Sequence, residues 1–142
     1  EIISKKRKKI YLGNLEAKRD WGHVKDYVNG IWKILQFRRP DDFVLATGKT
    51  YSVRDFVEAA FNVVDIKIKW IGNGLNERGI NRENGSTLIE IDKQYYRPLE
   101  VHYLCGDAAK AKKYLNWKCN ISFKTLVKEM VLNDLRKAQD RL

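Results

Sequence analysis

Between His23 and Ile71 the apolar residues change their period three times, and this constrains the fold more than any other feature of the chain. From His23 to Phe37, Val24, Tyr27, Val28, Ile31, Trp32 and Leu35 recur at steps of three and four, the spacing of one helix face. Pro40 closes that region, and Phe43-Val44-Leu45-Ala46-Thr47 follows as an apolar run ended by Gly48. Such a run predicts a strand buried on both faces. Ser52-Val53-Arg54-Asp55 then has the form of a capping box, with an acid three residues after the cap. Val53, Phe56, Val57, Ala60, Phe61 and Val64 form the stripe behind it, and this second helix is predicted to end near Asp65. Ile66-Lys67-Ile68-Lys69-Trp70-Ile71 alternates strictly, as a half-exposed strand does. Strands and helices in alternation define an α/β chain, and a strand followed by a helix twice over predicts part of a parallel sheet.

The flanking segments extend this pattern. Residues Glu1 to Lys9 read as the end of a helix, followed by a strand at Ile10-Tyr11-Leu12 and a turn at Gly13-Asn14. A domain rarely opens on a helix tail, so truncation is expected. Gly72, Gly74, Gly79 and Gly85 mark a mobile loop, and Thr87-Leu88-Ile89-Glu90-Ile91 is a further strand. Asp107 is placed to cap a short helix running through Tyr114. Ser122 is placed to cap a final one whose core stripe is Phe123, Leu126, Val127, Met130, Val131 and Leu135. The later loop, short strand and two helices predict a smaller lobe.

Composition narrows the function classes. A chain of 142 residues, 44% hydrophobic and with four tryptophans, is large and apolar enough to build a core. No apolar run approaches the roughly 20 residues of a membrane helix. Glu1-Ile2-Ile3-Ser4 leads into charge rather than an apolar segment, which predicts a soluble, cytoplasmic protein. Cys105 and Cys119 are too few for a disulfide framework, and His23 and His102 supply no ligand spacing around them, so no metal site is expected. Asn84-Gly85-Ser86 and Asn120-Ile121-Ser122 match the glycosylation acceptor pattern incidentally. A net charge of +10 admits nucleic acid, an anionic membrane or an anionic small substrate. The block Lys5-Lys6-Arg7-Lys8-Lys9 reads as a solvated surface, because no RNA- or DNA-binding motif accompanies it.

Three segments carry more information together than singly. They are Tyr11 to His23 (YLGNLEAKRDWGH), Tyr95-Tyr96-Arg97-Pro98-Leu99-Glu100-Val101, and Gly106-Asp107 with Ala111 to Trp117 (AKKYLNW). In this order and at these separations they resemble the C-terminal portion of the GDP-mannose 4,6-dehydratase family, within the extended short-chain dehydrogenases. Leu45-Ala46-Thr47-Gly48 and Ser52 to Val57 fit it too, so the resemblance covers Ile10 to about Leu135. It implies an α/β fold in two parts. Residues 1–65 would carry the terminal elements of a Rossmann-type domain, and residues 66–142 mainly a substrate-binding lobe.

The resemblance also implies a chemistry. The family binds NADP, oxidises the mannose C4 hydroxyl of GDP-mannose, eliminates water across C5 and C6, and returns the hydride to C6. The ketone acidifies the C5 proton, which is why a redox cofactor serves a net dehydration. The cofactor and catalytic groups belong to the portion N-terminal to this chain, so the chain alone is expected to be inactive. Homo-oligomers, dimeric or tetrameric, are expected of the whole enzyme. Arginine suits a diphosphate because its planar fork donates two hydrogen bonds at once. The resemblance assigns Arg19 and Arg97 to the diphosphate, with Arg97 held extended by Pro98, and Glu100 to the ribose. Gly13 and Asn14 would offer backbone N–H groups, and Lys18 would add charge. Tyr114 and Lys118 match a Tyr-x-x-x-Lys signature, but Leu115 and Trp117 flank the end of a short helix here, where the family has a leucine-x-tryptophan for packing, and no catalytic role is assigned to the pair. Gly72 to Gly79 has the wrong spacing for a dinucleotide turn. Two alternatives remain open from the residues: another nucleotide-sugar epimerase or reductase, and a basic nucleic-acid-binding module.

Overall fold

The computed structural model describes residues 1–97 and 99–139. The first turn closes as helix ends do. Lys6 N–H donates to Glu1 O at 2.9 Å, Lys5 N–H donates to Ile2 O at 3.0 Å, and Lys5 takes a left-handed φ of 58°. This nested pairing satisfies the last carbonyls of a helix. The expected helix end is therefore present in its hydrogen bonds, although the segment is built of turns.

A four-stranded sheet in the order β1 (Ile10–Leu12), β6 (Thr87–Ile91), β5 (Arg78–Asn81), β4 (Ile68–Ile71) forms the larger layer. β1 runs parallel to β6 with Ile10 opposite Ile89, while β6 with β5 and β5 with β4 are antiparallel. The α/β class holds, but the sheet is mixed. β4, β5 and β6 follow one another through short connections, and only antiparallel neighbours can be joined so. β5 falls in the stretch expected to be loop. Gly79 conceals its alternation, and a Cβ there would come within 2.7 Å of Ile89 Cδ1. Glycine is what lets β5 lie across a fully buried isoleucine. A second ladder pairs β2 (Lys18–Arg19) with β3 (Tyr51–Ser52). Strands of two residues carry no readable period.

The predicted helices form, with the predicted capping box at Ser52, while the third is N-capped by Ala108 one residue after the predicted Asp107. α1 (Val24–Leu35) is capped by His23, whose Nδ1 accepts from Lys25 N–H. α2 (Val53–Asn62) has the reciprocal capping box of Ser52 and Asp55. α3 (Ala109–Leu115) follows Asp107, whose carboxylate accepts from Ala109 N–H at 2.8 Å. α4 (Phe123–Gln139) begins where Ser122 Oγ accepts from Thr125 N–H.

Two clusters form the core. Val57, Leu88 and Ile89 join α2 to the sheet, with Ile10, Leu12, Val53 and Trp70 around them. Ala111, Leu115 and Trp117 join α3 to α1 through Tyr27 and Ile34. Cys119 borders this second cluster, and burial pushes its thiol pKa up to about 11, so it stays protonated at neutral pH. Two expectations need correction here. Most of the α1 stripe faces outward: Val24, Val28, Ile31, Trp32 and Leu35 are between 53% and 75% exposed. Phe43 to Thr47 enters no ladder among the described residues. Phe43 and Leu45 pack on the Trp117 cluster instead, while Val44 points outward. Apolar periodicity predicts that a face needs cover but not which segment provides it.

Candidate functional site

A cleft of about 400 Å³ opens at the carboxyl ends of the parallel pair β1 and β6. Leu12, Gly13 and Asn14 approach from β1, Gln94, Tyr95, Arg97 and Glu100 from the segment after β6, and Ala17, Arg19 and Val53 from β2 and α2. Crevices at the carboxyl ends of strands are the usual ligand positions in α/β folds. Five of the six residues singled out from the sequence therefore line one concavity. Lys18 does not. It precedes Arg19 on β2, and neighbouring strand residues point to opposite faces, so Arg19 turns inward and Lys18 is exposed.

The wall formed by residues 14–19 is fixed by backbone bonds. Val53 N–H donates to Ala17 O at 3.2 Å and Arg54 N–H to Leu15 O at 3.0 Å, so the loop carbonyls satisfy two free amides of the α2 start. Asn14 Oδ1 accepts from Glu16 N–H at 2.9 Å. Arg54 adds a side-chain clamp, donating to Glu16 at 2.5 Å and to Glu77 at 3.0 Å while lying 4.5 Å from the Trp70 ring centre. Glu77 above all raises the Arg54 pKa, with burial opposing and Glu16 adding to the rise.

Arg19 is held at its guanidinium. Nη1 donates to Lys18 O at 2.8 Å and to Val101 O at 2.7 Å, and Nη2 is paired with the Glu100 carboxylate. The segment carrying Glu100 is strapped along β2, because Lys18 N–H donates to His102 O and Leu104 N–H to Lys18 O. Arg97 differs. It is exposed, and among the described residues no side chain accepts from its guanidinium. The expectation that Pro98 fixes Arg97 lies outside the described residues. Glu100 N–H donates to Arg97 O at 3.3 Å, which closes a turn and sets the two side chains at the same rim.

Gly13 has a structural duty beyond its N–H. A Cβ on it would lie 2.1 Å from Tyr95 O and 2.7 Å from Tyr95 C. Only glycine lets the end of β1 pass so close to the Lys93–Tyr95 turn. Gly13→Ala is therefore expected to cost about 1–3 kcal/mol, since the obstruction is backbone, and to widen the cleft. Urea unfolding measures this, and a variant as stable as the parent would show that the close approach is dispensable.

Asp20 is a residue that sequence reasoning missed. Its Oδ1 accepts from Thr47 N–H at 2.9 Å and Thr47 Oγ1 at 2.5 Å, and its Oδ2 from Gly48 N–H at 2.9 Å and Gly106 N–H at 3.3 Å. One carboxylate thus ties three distant segments just behind Arg19. Its available signal was position: a short acid directly after a site arginine, ahead of the Gly48 and Gly106 turns.

Among the described residues, no strand runs through a glycine-rich turn into a helix. Gly72 and Gly74 instead belong to the connection between β4 and β5. A dinucleotide pyrophosphate needs the former arrangement, so these residues do not fit NADP. They likewise hold no group of three His, Cys, Asp or Glu suited to a metal, and no helix long and apolar enough to cross a membrane.

The family profile described as GDP-mannose 4,6 dehydratase matches residues 1–130. The chain is 52% identical over 126 residues to "GDP-mannose 4,6 dehydratase" of Dictyostelium discoideum, covering 89% of this chain and 35% of that protein. It is 49% identical over 141 residues to the Homo sapiens protein of the same name, covering 94% of this chain and 38% of that one. The chain thus spans little more than a third of these relatives' length. Among solved structures, RMD from Pseudomonas aeruginosa complexed with NADPH superimposes with a TM-score of 0.71 at 14% identity, over 99% of this chain and 40% of that one. UDP-glucose 4-epimerase from Bifidobacterium longum, in complex with NAD+ and UDP, gives 0.67 at 17% identity, over 94% and 37%. At such identities the likeness concerns the fold.

Proposed function

We infer that this chain, which belongs to the GDP-mannose 4,6 dehydratase family, forms the nucleotide-sugar-binding end of an enzyme converting GDP-mannose to GDP-4-keto-6-deoxymannose. The observation that carries this reading is the convergence of Gly13, Asn14, Arg19, Arg97 and Glu100 on one cleft. Two guanidinium groups at its rim suit a diphosphate, and a carboxylate among them suits the hydroxyls of a ribose. In this reading residues 1–65 contribute terminal elements of a Rossmann-type domain, and residues 66–142 the substrate lobe. The outward faces of α1 and Val44 pack there against the remainder of a chain as long as its relatives. NADP would supply hydride exchange in that remainder, and no residue of this chain is assigned to it. Homo-oligomeric assembly and a cytoplasmic setting are proposed for the whole protein.

Calorimetric titration of GDP-mannose, GDP and a UDP-sugar tests the assignment. GDP and GDP-mannose are expected to bind, and the UDP-sugar to bind more weakly. Equal or stronger binding of the UDP-sugar would point to an epimerase-type ligand, and no binding of any of the three would remove the reading.

A further inference from the structure

The cleft contains its own anion. Arginine has five N–H donors, and in Arg19 both hydrogens of Nη1 are taken by the carbonyls of Lys18 and Val101. The two-donor edge left for an incoming phosphate is Nε–H with Nη2–H, and Glu100 is held on Nη2. The pair is half-shielded, with side chains 24% and 19% exposed, so solvent weakens but does not cancel it. A diphosphate placed against Arg19 would meet the Glu100 carboxylate directly, and like charges at contact exclude one another.

We propose that Glu100 is a displaceable internal counter-ion, holding Arg19 poised when the cleft is empty and yielding it to the diphosphate of a nucleotide on binding. This rests on the diphosphate reading of the cleft given above. Three features make the exchange workable. Arg19 keeps its place without Glu100, because two carbonyls grip Nη1 independently. Arg97, at the same rim, gives an arriving phosphate a first positive charge that no side chain among the described residues already neutralises. Glu100 hangs from a backbone strapped to β2, so its carboxylate can swing while the chain stays fixed. The released carboxylate then becomes an acceptor for ribose hydroxyls, and the displacement and the sugar contact are one event.

Inorganic pyrophosphate separates the two roles, since it carries the charge without the ribose. Calorimetric titration into the protein and into Glu100→Gln is expected to show binding by both, with the variant roughly three- to tenfold tighter once the competing charge is gone. GDP is expected to gain less than pyrophosphate does, because the neutral Gln amide oxygen accepts from ribose hydroxyls more weakly than the carboxylate. If the parent binds pyrophosphate and Glu100→Gln binds it no tighter, the counter-ion role is overturned while the diphosphate reading stands. If neither pyrophosphate nor GDP binds the parent, both fall. Should Glu100→Gln misfold, the carboxyl-carbon resonance of Glu100 in the unmodified protein decides. It is expected to move as pyrophosphate is added, and a resonance unmoved at saturation overturns the proposal.

Discussion

Trp117→Ala is expected to lower the free energy of unfolding by about 3–5 kcal/mol, the cost of emptying a large aromatic site. Trp117 is 2% exposed and is among the largest fully buried side chains of the protein. Its Nε1–H donates to Asp26 O at 2.8 Å, and its ring stacks on Tyr27 with centroids 6.3 Å apart. Gly30 leaves room for it, since a Cβ there would come within 2.8 Å of Trp117 Nε1. The same residue thus fills the space between α1 and α3 and satisfies a buried donor. Trp117→Phe is expected to cost less, because it keeps one aromatic ring in the site while losing the second ring of the indole and its N–H. Urea unfolding followed by circular dichroism measures both. A Trp117→Ala variant within 1 kcal/mol of the parent would mean that α1 and α3 close over the gap, and that Trp117 does not join them.

Arg97→Ala is expected to weaken GDP-mannose binding about ten- to a hundredfold, from the ~1.5–3 kcal/mol that hydrogen bonds to a charged group contribute. The residue is exposed, so the effect stays below that of stripping a partner from a buried charge. Exposure also makes the test clean. Arg97 has no side-chain partner among the described residues, and its loss should leave stability within about 0.5 kcal/mol. Lys18→Ala is expected to cost much less affinity, because Lys18 does not line the cleft. Arg97→Lys should not restore binding, as an ammonium keeps the charge but loses the planar fork. The comparison is made by calorimetry on the protein at full length. Parent-like affinity in Arg97→Ala would remove the diphosphate assignment at this rim.

The contrast between Arg97 and Arg19 shows how far the sequence reaches. Both arginines were singled out from the sequence, and both line the cleft. That Arg19 is already engaged by Glu100 was not legible, because the contact spans 81 positions. The same holds for Asp20, whose bonds to Thr47 and Gly106 depend on how three loops meet. Helices with caps were read closely, since a capping box or a stripe is local. β2 and β5 were missed, one too short for a period and the other masked by Gly79. The α1 stripe was read as one helix face, but a stripe does not name its partner, and most of it faces outward here.

The wall of the cleft rests on main-chain bonds from α2 to the carbonyls of Leu15 and Ala17, and on the strap between Lys18 and residues 102–104. Those bonds are indifferent to which side chains the residues carry. Gln94 and Tyr95 can therefore drift over evolutionary time without unfolding the cavity they line. Shape and selectivity are inherited separately in such an arrangement. A lineage can change what the cleft accepts by exchanging rim residues, while Gly13 stays fixed because the backbone it passes leaves room for nothing larger.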